Sequence, residues 1–171
     1  MSLALTITLN SLSRTFGLSP DQKSFLFKLM QSLLPTRDNL ARLRKVIPSD
    51  CLYCEGTSDT PAHLLSCTMS NQVSSPLTRC IRTYFPNIPP EDIVILKIPT
   101  TESLDLPISW LLASCLGYIW QERVLDKQAN LEVCRAELLG SLAVLKSTRW
   151  NHYSLHNSAE LLKDMINLHF N

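Results

Sequence analysis

Charge of one sign is what this chain lacks most clearly. Over 171 residues, 16 Lys and Arg stand against 15 Asp and Glu, a formal net charge of +1. Bulk charge gives no reason to expect a polyanionic partner, so any nucleic-acid contact has to rest on a local patch. Charged residues are also few in total, 18% against roughly 25% in ordinary soluble domains, which leaves an excess of surface for a core or an interface. Glycine is scarce, at 4, and there are no repeats and no low-complexity tracts. Long hydrophobic runs are missing too. The uncharged stretch 106–120 contains Ser109, Ser114 and Gly117 and falls short of the roughly 20 residues of a membrane span, so it reads as a buried helix. Met1 to Leu12 has no basic start, and Thr6 and Thr8 interrupt its apolar residues, so no secretory leader is expected.

What is present begins with cysteine. Cys80, Cys115 and Cys134 fall singly within apolar helical patterns and read as small core residues. Cys51, Cys54 and Cys67, with His63, form Cys-x2-Cys-x8-His-x3-Cys. A structural zinc site takes four thiolate or imidazole donors and leaves no open position. The x2 spacing lets one tight turn aim two thiolates at one ion, and residues four apart on a helix, as His63 and Cys67 are, share a face. Zn2+ is therefore the expected cofactor, with sulfurs roughly 3.5–4 Å apart for Zn–S bonds near 2.3 Å. The competing reading is buried reduced thiols beside a surface histidine. Cysteine used this way points to a reducing compartment, nucleus or cytoplasm, and not to a disulfide scaffold.

The fold class expected is mainly α: a small helical domain with an inserted CCHC zinc knuckle. Residues 1–18 read as an extension, 19–100 as helices and knuckle, and 101–171 as a helical segment packed on the same core. Leu3, Leu5, Ile7 and Leu9 alternate with Ala4, Thr6 and Thr8, a strand pattern with no evident partner within the chain. Ser19, Pro20 and Gln22 give a capping box, with Phe25, Leu26, Leu29, Met30 and Leu33 as the stripe behind it. Thr36 caps a second helix with Leu40, Leu43, Val46 and Ile47 as its apolar positions, and Thr60-Pro61 starts the one that carries His63 and Cys67. Ser75-Pro76 reads as a helix start, Glu91–Lys97 as a short helix in preference to a buried strand, 106–127 as a long helix, Asn130 as the next cap, and Asn157 with Glu160 as the opening of the last helix.

Around the knuckle, Arg37, Arg42, Arg44 and Lys45 stand against a single acid, Asp38. Arg pairs phosphate bidentately, and each phosphate contact releases counterions. The alternative is an ordinary solvated helix face. Tyr53, between two ligands, either stacks on an unpaired base or covers the zinc sulfurs. His152, His156 and Glu160 form a metal-like triad at helical spacing, with the polar first turn of a helix as its plainer reading.

The run Leu26-Phe27-Lys28-Leu29-Met30, then Leu34-Pro35-Thr36-Arg37, Leu40, Leu43, Cys51, Cys54, Thr60, His63 and Cys67 resembles the zinc-binding region downstream of the reverse transcriptase in non-long-terminal-repeat retrotransposons. Ile119-Trp120-Gln121-Glu122-Arg123, with Leu131, Leu138 and Leu142, is similar to the helices that close such polyproteins. The family's polymerase and nuclease signatures do not stand out: there is no catalytic Asp-Asp pair, and Asp21-Gln22-Lys23 opens a capped helix. The resemblance implies a detached nucleic-acid-binding module that holds RNA or DNA and is not an enzyme, since four protein ligands leave zinc no site for water. The alternative is a protein-interaction or scaffolding module, or self-association through apolar helices. No membrane partner is expected.

Overall fold

A computed structural model describes residues 5–6, 18–44, 47–94, 99–100, 102–147 and 153–171. The protein is mainly helical. Its described helices are α1 (Pro20–Met30), α2 (Arg37–Leu43), α3 (Asn71–Tyr84), α4 (Pro90–Val94), α5 (Glu102–Val124), α6 (Leu131–Ser147) and α7 (Tyr153–His169), with a 3-10 turn at Pro61–Leu65. Two short strands, β1 (Leu5–Thr6) and β2 (Pro99–Thr100), pair antiparallel. The N-terminal strand thus finds its partner within the chain, contrary to the expectation from sequence. Strand pairing across so many residues leaves no local signal. The rest of the alternating segment lies outside the described residues.

The uncharged stretch forms the middle of α5. From Ile108 to Ile119 it is buried on nearly every side, as a helix apolar all round must be. It packs against α1, α3, α6 and α7. One apolar cluster joins Phe25, Leu26 and Leu29 of α1, Leu77 and Ile81 of α3, the α5 residues, Leu138 of α6 and Ile166 of α7. Trp110 is fully inside, and Trp120 rests against Phe25 with ring centroids 6.5 Å apart.

The predicted caps form. Ser19 N donates to Gln22 Oε1 (2.8 Å) and Gln22 N to Ser19 Oγ (3.1 Å), closing the box ahead of Pro20. Val133 N donates to Asn130 Oδ1 (3.1 Å) at the start of α6. Other boundaries differ. α1 stops at Met30, where Ser32 takes a φ of +55° and Leu33 N reaches back to Lys28 O (2.7 Å). This doubly bonded C-terminal turn throws Leu33 out to 60% exposure. α2 ends at Leu43, which is 82% exposed, so its assigned apolar face buries nothing; Lys45 and Val46 lie outside the described residues. α3 begins at Asn71, not at Ser75-Pro76. Val73 N and Ser74 N donate to Ser70 O, and Pro76 sits inside the helix, missing only the bond to Gln72 O. α7 begins at Tyr153, ahead of the expected cap, so Asn157 and Glu160 both lie within the helix, where Glu160 pairs with Lys146 (2.5 Å). α4 forms as a helix, with Ile93 buried.

Candidate metal centre

Residues 49–59 turn back on themselves as a small hairpin. Cys51 N donates to Thr57 O (2.8 Å), Asp59 N donates to Ser49 O (2.8 Å), and Asp50 bridges Ser58. Gly56, at φ +66°, makes the reversal in a conformation that side-chain-bearing residues seldom adopt. Cys51 and Cys54 sit on this turn. The chain then enters the 3-10 turn, with Thr60 as its cap: His63 N donates to Thr60 Oγ1 (3.3 Å). Cys67 N donates to His63 O (2.8 Å), which sets the two residues one turn apart, as their spacing predicts, although the segment is a single 3-10 turn and not an α-helix.

The result is a cluster of Cys51, Cys54, His63 and Cys67 whose donor atoms all lie within 4.8 Å of one another, an arrangement able to hold a metal ion. Cys67 Sγ is 3.8 Å from both Cys51 Sγ and Cys54 Sγ. The sulfurs also accept hydrogen bonds, from Tyr53 N to Cys51 (3.4 Å) and from Thr68 N to Cys54 (3.4 Å). Such bonds favour thiolate over thiol. His63 Nδ1 is 3.2 Å from Ser66 Oγ, while Nε2 is buried with no hydrogen-bond partner among the described residues. That orphaned nitrogen is what a metal ligand requires, with its other ring nitrogen held by a hydrogen bond.

The electrostatics grade the donors. The hydroxyl and backbone N–H of Thr68 draw the Cys54 thiol below its usual range. Burial pushes Cys67 up to about 12. Burial, aided by the nearby Arg123 guanidinium, lowers His63 and keeps its ring neutral with a lone pair to offer. Of these two thiols, Cys54 gives up its proton more readily than Cys67.

Two side chains distant in sequence pin the loop. Arg123, in the last turn of α5, is ion-paired with buried Asp59 and directs the same Nη2 toward Cys51 Sγ at 3.7 Å. The other oxygen of Asp59 accepts from Arg37 N (2.8 Å) at the start of α2. Tyr53 donates its hydroxyl to Asp126, a bond that pushes the phenol up to about 12. Asp126 itself stands at φ +59° in the turn that ends α5. Neither Asp59 nor Asp126 carries a sequence signal, and Arg123 entered the reading only through the resemblance.

The described basic residues have different surroundings. Arg37 donates through Nε to Pro48 O (3.2 Å), and Arg42 pairs with Asp38 (2.8 Å) while remaining 74% exposed. Arg44 is exposed, and Lys45 lies outside the described residues. Arg37 and Tyr53 share a cleft of about 190 Å³ with Leu52, Trp120, Arg123 and Val124; Arg42 and Arg44 do not line it. Of the His152, His156 and Glu160 triad, His152 and the side chain of His156 lie outside the described residues. Cys80, Cys115 and Cys134 are free and buried. Among the described residues, no helix is long and apolar enough to cross a membrane. Compared with protein-family models, with curated proteins and with solved structures, the chain matches none.

Proposed function

We propose that this protein is a zinc-stabilised nucleic-acid-binding module of the kind found downstream of the reverse transcriptase in non-long-terminal-repeat retrotransposons, with no catalysis at its metal. The observation that carries the metal assignment is the donor set itself. Three sulfurs and one unpartnered imidazole nitrogen converge, and the 3.8 Å sulfur separations match the edge of a tetrahedron with Zn–S bonds of about 2.3 Å. Soft thiolates with one imidazole favour zinc over the oxygen-seeking cations. When bound, zinc supplies cross-linking between the hairpin and the 3-10 turn. The protein's own groups do the rest: Thr68, Tyr53 and Arg123 donate toward the sulfurs, and Ser66 orients His63.

Nucleic-acid contact on this reading is sequence-independent. Arg42 and Arg44 project from α2, whose N-terminus the Asp59–Arg37 bond fixes to the metal loop. Phosphate pairing by these cations makes affinity fall with salt. A gel-shift titration at several salt concentrations tests it. Arg42→Ala with Arg44→Ala should weaken binding about equally across sequences and flatten the salt slope by about one to two units. Unchanged affinity would remove α2 from the interface. A protein-interaction role is favoured by a different observation: Leu52, Val124 and Leu125 are each more than half exposed around the loop and the end of α5. Binding that persists in high salt would support that role instead.

A further inference from the structure

One face of α3 carries two arginines and three hydroxyl side chains. Ser75, Thr78, Arg79, Arg82 and Thr83 recur at helical spacing and, with Ser66 from the turn before Cys67, line an open groove of about 610 Å³. No acidic side chain lines it, and neither arginine has an ion pair among the described residues. This contrasts with α2, where Arg42 is already paired with Asp38. Thr83 and Ser75 spend their hydroxyl protons within the helix, on Arg79 O (3.0 Å) and Asn71 Oδ1 (2.7 Å). The two guanidiniums, Thr78 and Ser66 are left as the donors.

Ser66 ties the groove to the metal centre. With Nε2 of His63 given to a metal, the ring's remaining proton sits on Nδ1 and donates to Ser66 Oγ. The serine hydroxyl then keeps its own proton to offer into the groove.

We propose that this groove is a phosphate track for the sugar-phosphate backbone of a nucleic acid, with Arg79 and Arg82 as the phosphate contacts and Ser66 and Thr78 as supporting donors. Planar guanidiniums without carboxylate partners match phosphate bidentately. A small phosphorylated metabolite fits less well. Sites for such ligands enclose most of the molecule, whereas this groove, with Leu65 and Pro90 beside the guanidiniums and hydroxyls, runs open along an exposed helix face. The identity of the strand rests on the function proposed above; the anion chemistry of the groove does not.

The test is fluorescence anisotropy of zinc-loaded full-length protein with labelled single-stranded RNA and DNA oligonucleotides of one sequence. Arg79→Ala with Arg82→Ala should lower affinity about tenfold or more and reduce the salt slope by about one to two units, independently of sequence. Arg79→Lys with Arg82→Lys should keep most of the salt slope while losing part of the affinity. Both arginines are exposed, so thermal unfolding of the variants should match that of the parent. If the parent binds and the Ala pair binds equally well, the groove is overturned while the module reading stands. If the Ala pair at 79 and 82 fails and that at 42 and 44 does not, the groove stands and the α2 interface falls. No binding by the parent overturns both. Binding of ATP as tight as that of the oligonucleotide, or of polyglutamate in place of it, also overturns the proposal and reassigns the groove to a small ligand or an acidic protein.

Discussion

Arg123 and Asp59 form a buried ion pair that fastens the end of the central helix to the loop carrying the cysteines. The side chains are only 11% and 3% exposed, so neither charge has water to fall back on. Asp59 spends its second oxygen on Arg37 N, and Arg123 leans its guanidinium on Cys51 Sγ. Two helices and a loop, α2, α5 and the metal loop, meet in this one network.

Breaking the pair leaves an uncompensated buried charge, at a cost of about 3–5 kcal/mol. Arg123→Met should therefore destabilise the zinc-loaded protein by that order in denaturant unfolding. Adding Asp59→Asn should recover part of the loss, since the amide oxygen still accepts from Arg37 N. A cost below about 1 kcal/mol for Arg123→Met would mean that the pair contributes no more than a surface ion pair does.

Much of this site was legible, and for a physical reason. Ligand spacing, the Thr60-Pro61 cap and the Ser19–Gln22 box are local, and local geometry follows from neighbouring residues. Cys51, Cys54, His63 and Cys67 could be grouped because a turn and a single helical turn suffice to gather them. Arg123 and Asp126 could not. They reach the loop only because α5 packs across it, and nothing in the sequence around either residue marks that contact. Apolar stripes misled in two ways: Leu33 continues a helical pattern past the point where the backbone has already turned away, and Leu43 ends a short helix that has no buried face. The internal Pro76 misled for the opposite reason. A proline reads as a helix start, but one lost hydrogen bond is tolerable in a helix held by Val73, Leu77 and Ile81 in the core. The Arg79–Arg82 face carries no signature of its own, because two arginines on the solvent side of an amphipathic helix whose inward side is Leu77, Cys80 and Ile81 look like any solvated face.

Metal analysis should find one zinc per chain. Cys67→Ser should abolish it, because Cys67 Sγ lies beside both other sulfurs and its loss opens the cage. Ser66→Ala leaves every ligand in place and removes only the partner of His63 Nδ1, so zinc affinity should fall roughly 10–100-fold. Competition with a chromophoric chelator measures both. Full zinc retention at unchanged affinity in Ser66→Ala would show that His63 is oriented by packing alone.

His169 makes stability depend on pH. It is buried, with Nε2 unpartnered among the described residues, and burial, with Arg79 nearby, lowers its pKa from the usual 6.5. Between the folded value and 6.5, the unfolded state binds a proton that the folded state refuses, so stability rises with pH through that window. The contribution is fully present above 6.5 and is lost as pH falls through the folded value. His169→Leu should flatten this acid limb of the stability curve, measured by denaturant unfolding on zinc-loaded protein at pH values on both sides of 6.5. An unchanged slope would place the titrating group elsewhere.

The six cysteines should divide into two sets by reactivity. Burial pushes Cys80 up to about 12, and burial with its neighbour Cys134 holds Cys115 well above the usual range. All three are in the apolar core. An accessible thiolate attacks a disulfide reagent and expels the reagent's leaving thiolate, so these three should react only as fast as the protein unfolds. The metal set should be protected while zinc is bound and react on chelation. Cys54 should lead, being the most exposed of the three and the one whose thiol is drawn down by Thr68; Cys67, buried and raised, should come last. Stopped-flow labelling after addition of a strong chelator would then show three thiols modified in sequence, followed by a slow phase of three that tracks global unfolding across denaturant concentrations. If all six reacted together on chelation, the metal would be holding the helical core as well as the loop, and the buried apolar cluster could not be self-supporting.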